Sequence, residues 1–255
     1  MNSVQTMRTT APVKTYIGPD SSRMVGDLLR EQGVDSVLIV TDKNIEAAGL
    51  LAGVEDSLRT AGCSFIVYDE TPADPPDTAV DRMCALCWEK RCQAVIAVGG
   101  GSCIDSGKCV AFMQRNPGRI RDYLLDPTLP RRKGVPFIAI PTTSGTGSEV
   151  TFGVVITDSQ SGRKIGAGGP EFFASAGILD PLLTVGLPRS VTASTAMDAF
   201  AHAVESMLSG KSNPTCRLFA GEAVRLISGN LEAVLSNGQD VSRRQHLMYA
   251  AYLAA

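Results

Sequence analysis

Two stretches of this 255-residue chain carry residue types whose order could do chemistry. In the first, Val98-Gly99-Gly100-Gly101-Ser102-Cys103-Ile104-Asp105, a triple glycine follows an apolar run and opens a helical pattern. Glycines let the backbone turn sharply and bring its amides close to a ligand. The helix N-terminus beyond them offers free N–H groups and a positive dipole end, which suit a pyrophosphate. The dinucleotide fingerprint G-x-G-x-x-G, started at Gly99, would need glycine where Ile104 stands. A P-loop ending Gly107-Lys108 would need glycine at position 102 and a hydroxyl at 109, where the chain has Ser102 and Cys109. In the second stretch, Asp198 and His202 lie four apart in a helical pattern and so share one face. A carboxylate and a neutral imidazole on one face suit iron or zinc, although most such pairs are plain surface interactions.

The elements that must position these groups are legible as runs. Ser36–Thr41, Ser64–Tyr68, Ala94–Val98 and Pro136–Ile140 are short and apolar on both faces, as strands buried in a parallel sheet are. Helical spacing separates them around Val25–Gln32, Asp77–Glu89 and Ile104–Met113, so the order predicts an α/β sheet with crossover helices. Ligands of such sheets sit at the carboxyl ends of strands. The hydroxyl-rich loop Pro141 to Glu149 falls there and reads as a contact for sugar and phosphate. So does Asp42, which could accept from a ribose 2′-hydroxyl and repel a 2′-phosphate, favouring NAD over NADP; its other reading is a helix cap. A boundary near Gly186-Leu187-Pro188 separates an α/β domain, 1–187, from a helical domain, 188–255. Helical patterns at Ser194–Ser209, Pro214–Leu235 and Ser242–Ala255 make up the second, with joints at Gly210 and Asn237-Gly238.

Composition narrows the class. Hydrophobic residues at 44% against 20% charged residues exclude a disordered chain. A net charge of −2 argues against binding nucleic acid through a general basic field. No apolar stretch reaches the roughly 20 residues that span a bilayer, and the stretch from Met1 to Lys14 has no apolar leader core. Seven cysteines in apolar surroundings fit reduced thiols in the cytoplasm better than a disulfide framework. Cys84, Cys87 and Cys92 suggest a metal knuckle or redox pair but lack a second ligand pair, and read as buried neutral thiols.

Together these residues resemble the iron-dependent (group III) alcohol dehydrogenases. The resemblance rests on Thr41-Asp42, on Gly99 to Ser102 with Asp105, on Pro141-Thr142-Thr143 through Gly147 to Thr151, on Lys164, on Ile178 to Pro181, and on Asp198 with His202. It implies a Rossmann-like parallel-sheet domain followed by an all-helical one, with chemistry in the cleft between. It assigns Gly100, Gly101, Ser102 and Asp105 to the pyrophosphate and nicotinamide side of NAD. Thr142, Thr143, Thr151 and Lys164 line the rest of that cofactor, with Asp42 at the adenosine ribose. Asp198 and His202 match the first two of four ligands to Fe(II), or Zn(II), which would act as a Lewis acid on the oxygen of a small alcohol or aldehyde. Homo-oligomerisation is implied as well.

In the family the third and fourth ligands are histidines beyond a helix resembling Arg243 to Ala255. Only His202 and His246 occur here, and His246 precedes the expected third position. The helical domain therefore reads as incomplete at its C-terminus. Three alternatives stay open: a glycerol dehydrogenase, a maleylacetate reductase or dehydroquinate synthase type of the same architecture, and a truncated, non-catalytic NAD-binding or scaffold protein.

Overall fold

The computed structural model of the chain describes residues 12–255; the segment before Pro12, most of the stretch read as lacking a leader core, lies outside the described residues. In chain order the elements are β1 (Lys14–Ile17), α1 (Val25–Arg30), β2 (Ser36–Val40), α2 (Lys43–Ala47), α3 (Ala52–Thr60), β3 (Ser64–Tyr68), α4 (Asp77–Glu89), β4 (Ala94–Gly99), α5 (Gly101–Met113), α6 (Ile120–Leu125) and β5 (Phe137–Pro141). A hairpin follows, β6 (Gly153–Thr157) and β7 (Lys164–Gly168), then β8 (Ala176–Leu179). Three long helices complete the chain: α7 (Arg189–Leu208), α8 (Pro214–Ser236) and α9 (Val241–Ala254).

Among the described residues six strands form one parallel sheet in the order β1-β8-β5-β4-β2-β3. Its central strands β2, β4, β5 and β8 are buried almost throughout because both faces are covered, whereas the edge strands β1 and β3 are partly exposed. Leu38, Val40, Val95 and Ala97 pack into a core shared with α4, α5 and α6. Their neighbours Val37, Ile39, Ile96 and Val98 point the other way, into a core with α1 and α3. From β2 the chain steps outward to β3, then returns past β2 to β4 and continues towards the opposite edge. The order reverses there, so a crevice opens between the carboxyl ends of β2 and β4.

Helix α5 lies close against the sheet because Gly107 has no side chain. A Cβ there would stand 2.8 Å from Ala97 Cβ and 2.8 Å from Phe137 Cε2. The three C-terminal helices have a separate core, rich in alanine at their contacts, with Ala196, Ala199 and Ala203 on α7 facing Ala220 and Ala223 on α8 and Ala250 and Ala251 on α9. Arg244 joins the bundle's own segments and reaches the chain before it: its Nη1 donates to Thr192 Oγ1 of α7 at 2.9 Å and its Nε to the Gly238 carbonyl at 2.9 Å, while Nη2 reaches the Val185 carbonyl ahead of α7 at 3.5 Å.

The four expected strands and the six expected helical segments are present; Asp77–Glu89 keeps its bounds and the other five helices have shifted ends. Elements that sequence patterning did not find are β1, β8, the β6–β7 hairpin, α2, α3 and α6. Most are four to six residues long, too short for a period to declare itself. In β8, Ala176-Gly177-Ile178-Leu179, two of four residues have weak strand preference, and burial between β1 and β5 supplies what propensity does not.

Gly107→Ala should destabilise the chain by roughly 1–3 kcal/mol, since overpacking at the α5–sheet contact outweighs the gain in helix propensity. Urea unfolding of the two proteins measures the difference.

Candidate active site

The crevice at the sheet's carboxyl end widens into a cleft of about 810 Å³ between the strand loops, the β6–β7 hairpin and α7. That is within the range of roughly 300–1,000 Å³ typical of small-molecule sites. Gly101, Ser102, Asp105, Thr151 and Lys164 line it from the sheet side, and Asp198 and His202 from α7. Seven of the eleven residues singled out from sequence thus share one cavity.

The other four, Asp42, Gly100, Thr142 and Thr143, lie in or beside the glycine-rich turn. Thr142 N donates to the Gly99 carbonyl at 3.0 Å, and Thr143 lies beside Gly100. Thr142 is buried, and its Oγ1 has no hydrogen-bond partner in the protein. Asp42 does cap a helix: its Oδ1 accepts from Asn44 N at 2.9 Å and Ile45 N at 3.1 Å at the start of α2. The second oxygen accepts from the buried Cys103 thiol at 3.6 Å and stays beside the turn. The cap reading and the crevice position therefore hold together.

Gly99 takes φ +154, and a Cβ on it would collide with Cys103. Gly100 stands in the capping position of α5, and no side chain caps that helix. The first-turn amides of a 13-residue helix consequently face the cleft rim without a side-chain acceptor. This arrangement fits the pyrophosphate of a dinucleotide. In the next loop, where Thr146 and Ser148 line the cleft, two of the glycines also serve packing. A Cβ on Gly145 would lie 2.8 Å from Thr195 Cβ on α7, and Gly147, at φ +62, faces Ala251 and Ala255 of the last helix.

The floor of the cleft is a buried polar network that sequence reading missed. Lys108, dismissed as part of a failed P-loop, is fully buried. Its Nζ donates to Ser148 Oγ at 2.8 Å, to the Gly153 carbonyl at 2.7 Å and to Thr151 Oγ1 at 3.4 Å, with Asp105 Oδ1 at 3.6 Å. Asp105 in turn accepts from Ser148 Oγ and, at 2.8 Å, from Val155 N of the hairpin. Burial lowers the Lys108 pKa from its ordinary value, and the Asp105 and Glu149 carboxylates oppose that shift. Glu149 is itself enclosed, and burial raises its carboxyl to about 7. The available signal was the spacing of Asp105 and Lys108, one helical turn apart on a helix otherwise buried all round.

Asp198 Oδ1 and His202 Nε2 stand 3.7 Å apart on the exposed face of α7 towards the cleft. Among the described residues no group of three or more His, Cys, Asp or Glu side chains is placed to hold a metal. His246 is exposed on α9, where its Nδ1 pairs with Asn230 Oδ1 at 3.2 Å. A carboxylate oxygen and an imidazole nitrogen are donor types that iron and zinc accept, and such a site uses three or more protein ligands, of which the described residues supply these two. Lys164 Nζ pairs with Asp74 Oδ1 at 2.7 Å on the cleft's outer wall.

Residues 12–181 match the iron-containing alcohol dehydrogenase family, and residues 192–255 match that family's C-terminal region. The chain belongs to the iron-containing alcohol dehydrogenase family. An NAD-dependent methanol dehydrogenase of Bacillus methanolicus is 35% identical over 243 residues, covering 95% of this chain and 64% of that protein. The crystal structure of a 1,3-propanediol oxidoreductase superposes with a TM-score of 0.93 at 33% identity, over 98% of this chain and 65% of the other. A sulfoacetaldehyde reductase from Bifidobacterium kashiwanohense, solved in complex with NAD+, gives 0.93 at 29% identity, over 98% and 66%. The chain thus spans just under two thirds of the length of these relatives. No helix among its described residues is long and apolar enough to cross a membrane.

Two outcomes follow from the buried network. Lys108→Met removes the cation from Asp105 and Ser148 and should cost roughly 3–5 kcal/mol of stability in urea unfolding. Glu149 has a folded-state pKa above its value of 4.5 in the unfolded chain, so the folded state binds the extra proton. Its contribution is full below pH 4.5 and is lost as pH rises through about 7. The stability of the parent minus that of Glu149→Gln should therefore fall by roughly 2–4 kcal/mol across that window and level off above it.

Proposed function

We propose that this chain is the NAD-binding and partial metal-binding portion of an NAD-linked, metal-dependent alcohol dehydrogenase for a small primary alcohol or aldehyde. In this reading residues 1–187 are the dinucleotide-binding domain and 188–255 the incomplete helical domain. The observation that carries it is the uncapped N-terminus of α5, opening on a cleft that Asp198 and His202 share. The α5 amides beyond Gly100 and the Ser102 hydroxyl hold the pyrophosphate. Thr142, Thr143 and Thr151 flank it, Asp42 receives the adenosine ribose, and Lys164 closes the outer wall. Asp105, steadied by Lys108 and Ser148, keeps the hairpin at the width the nicotinamide needs. Bound NAD supplies the hydride acceptor at the alcohol carbon, or in reduced form the donor to an aldehyde.

Asp198 and His202 are assigned to iron, or to zinc, as two ligands of an incomplete set. A second reading is a chain that binds NAD without turnover, on the two metal donors that the described residues supply. We place the protein in the cytoplasm as a homo-oligomer, on its thiol-rich composition and its family.

NADH fluorescence tests the binding half. Enhancement is expected with this chain, and Gly101→Val, whose side chain would crowd Thr146 at the turn, should weaken it at least about tenfold, or ~1.4 kcal/mol. Anaerobic NADH oxidation with propanal, with and without Fe(II) or Zn(II), tests the rest. Metal-dependent turnover supports the dehydrogenase, binding without turnover supports the second reading, and absence of NADH binding overturns both.

A further inference from the structure

The end of α4 brings two thiols together. Arg91 takes φ +53, Cys92 N donates to the Cys87 carbonyl at 3.0 Å, and Arg91 N donates to the Trp88 carbonyl at 3.1 Å. This pair of bonds is a Schellman closure, which sets the side chains at its two ends against each other. Those side chains are Cys87 and Cys92, usually an apolar pair in this turn and here a dithiol. Cys87 is fully buried and Cys92 is 8% exposed, between the exposed Arg91 and Gln93. Interaction with the neighbouring Cys87 thiol, and then with Ser36, lowers the Cys92 pKa from its ordinary value against the opposing effect of burial, while the Cys87 thiol is raised. Cys84 neighbours Cys87 and Cys63 neighbours Cys92, and burial raises both of these thiols. No three ligating groups converge among the described residues, so the cluster is a thiol pair with buried neighbours rather than a metal knuckle.

We propose that Cys87 and Cys92 are a modification site, a dithiol that hydrogen peroxide converts reversibly to a disulfide. The Cys92 thiol gives up its proton as its sulfur attacks one peroxide oxygen, the O–O bond breaks, and the departing hydroxide takes up that proton to leave as water. Cys87 sulfur then attacks the Cys92 sulfenic acid, the S–O bond breaks, and a second water carries off the Cys87 proton. In sum two thiols and one peroxide become one disulfide and two waters; the sulfurs lose two electrons and the peroxide gains them. The bridge staples the end of α4 to the entry of β4, the strand that carries the glycine-rich turn. It does not depend on the catalytic reading.

The test treats the whole chain with hydrogen peroxide, blocks remaining thiols, and digests with trypsin, which cuts after Lys90 and Arg91 and so separates the two cysteines. Loss of two of the seven free thiols, a linked peptide pair joining Cys87 to Cys92, and recovery of both thiols with dithiothreitol are expected. In Cys87→Ser, dimedone should trap a sulfenic acid on Cys92. A bridge from Cys92 to Cys63, a bridge from Cys87 to Cys84, or seven thiols surviving the oxidant would each overturn the proposal, and none of these readouts requires a variant to fold.

Discussion

An ammonium group taken wholly out of water has to be surrounded by acceptors, and meeting that demand at Lys108 shapes the floor of the cleft. The residues that surround it come from separate pieces of chain: Asp105 from α5, Ser148 and Thr151 from the loop after β5, and the Gly153 carbonyl from the hairpin. Each would cost several kcal/mol if left unpaired in a dry interior. The network therefore holds α5, the loop and the hairpin in one geometry. Asp105 extends it by accepting from Val155 N, so a single carboxylate fixes both the glycine-rich helix and the wall opposite. Glu149 completes the group as a carboxyl that burial keeps near neutrality.

The same region shows how one turn serves two needs. Gly99 accepts Thr142 N through its carbonyl and leaves room for Cys103, while Gly100 leaves α5 without a cap. Such a helix end is normally finished by a Ser, Thr, Asp or Asn side chain. An uncapped N-terminus facing a cavity leaves its amides for an anion, and the reversal of strand order between β2 and β4 puts it at the crevice. The metal side of the cleft is unequal to this. Asp198 and His202 meet on α7, and the described residues bring no third donor to them.

Much of the architecture was legible in the sequence because its physical causes are local. Strands buried on both faces must be apolar, so Ser36–Val40, Ala94–Gly99 and Phe137–Pro141 declare themselves, and the half-buried edge strand Ser64–Tyr68 does so through its aromatic and β-branched run. Helices with one covered face carry a period, and the three C-terminal helices follow theirs. The triple glycine after β4 is legible for the same reason, since only a backbone demand explains it. So is the i, i+4 pairing of Asp198 with His202.

What the tertiary structure decided is which of these groups meet. Lys108 is seven residues beyond Gly101; its spacing from Asp105 is the one local sign of a network whose other partners lie 40 to 45 residues away. Gly145 and Gly147 lie in the hydroxyl-rich loop, and nothing in that loop's sequence tells that helices α7 and α9 pack against them. β8 is a strand only because β1 and β5 flank it. Cys87 and Cys92 read as inert buried thiols until a left-handed Arg91 folds one onto the other. Sequence determined the elements and the chemical types they carry, because propensity, period and capping act within a few residues. Contact, burial and the pKa shifts that follow from them depend on desolvation by distant segments, and only the packed chain supplies that.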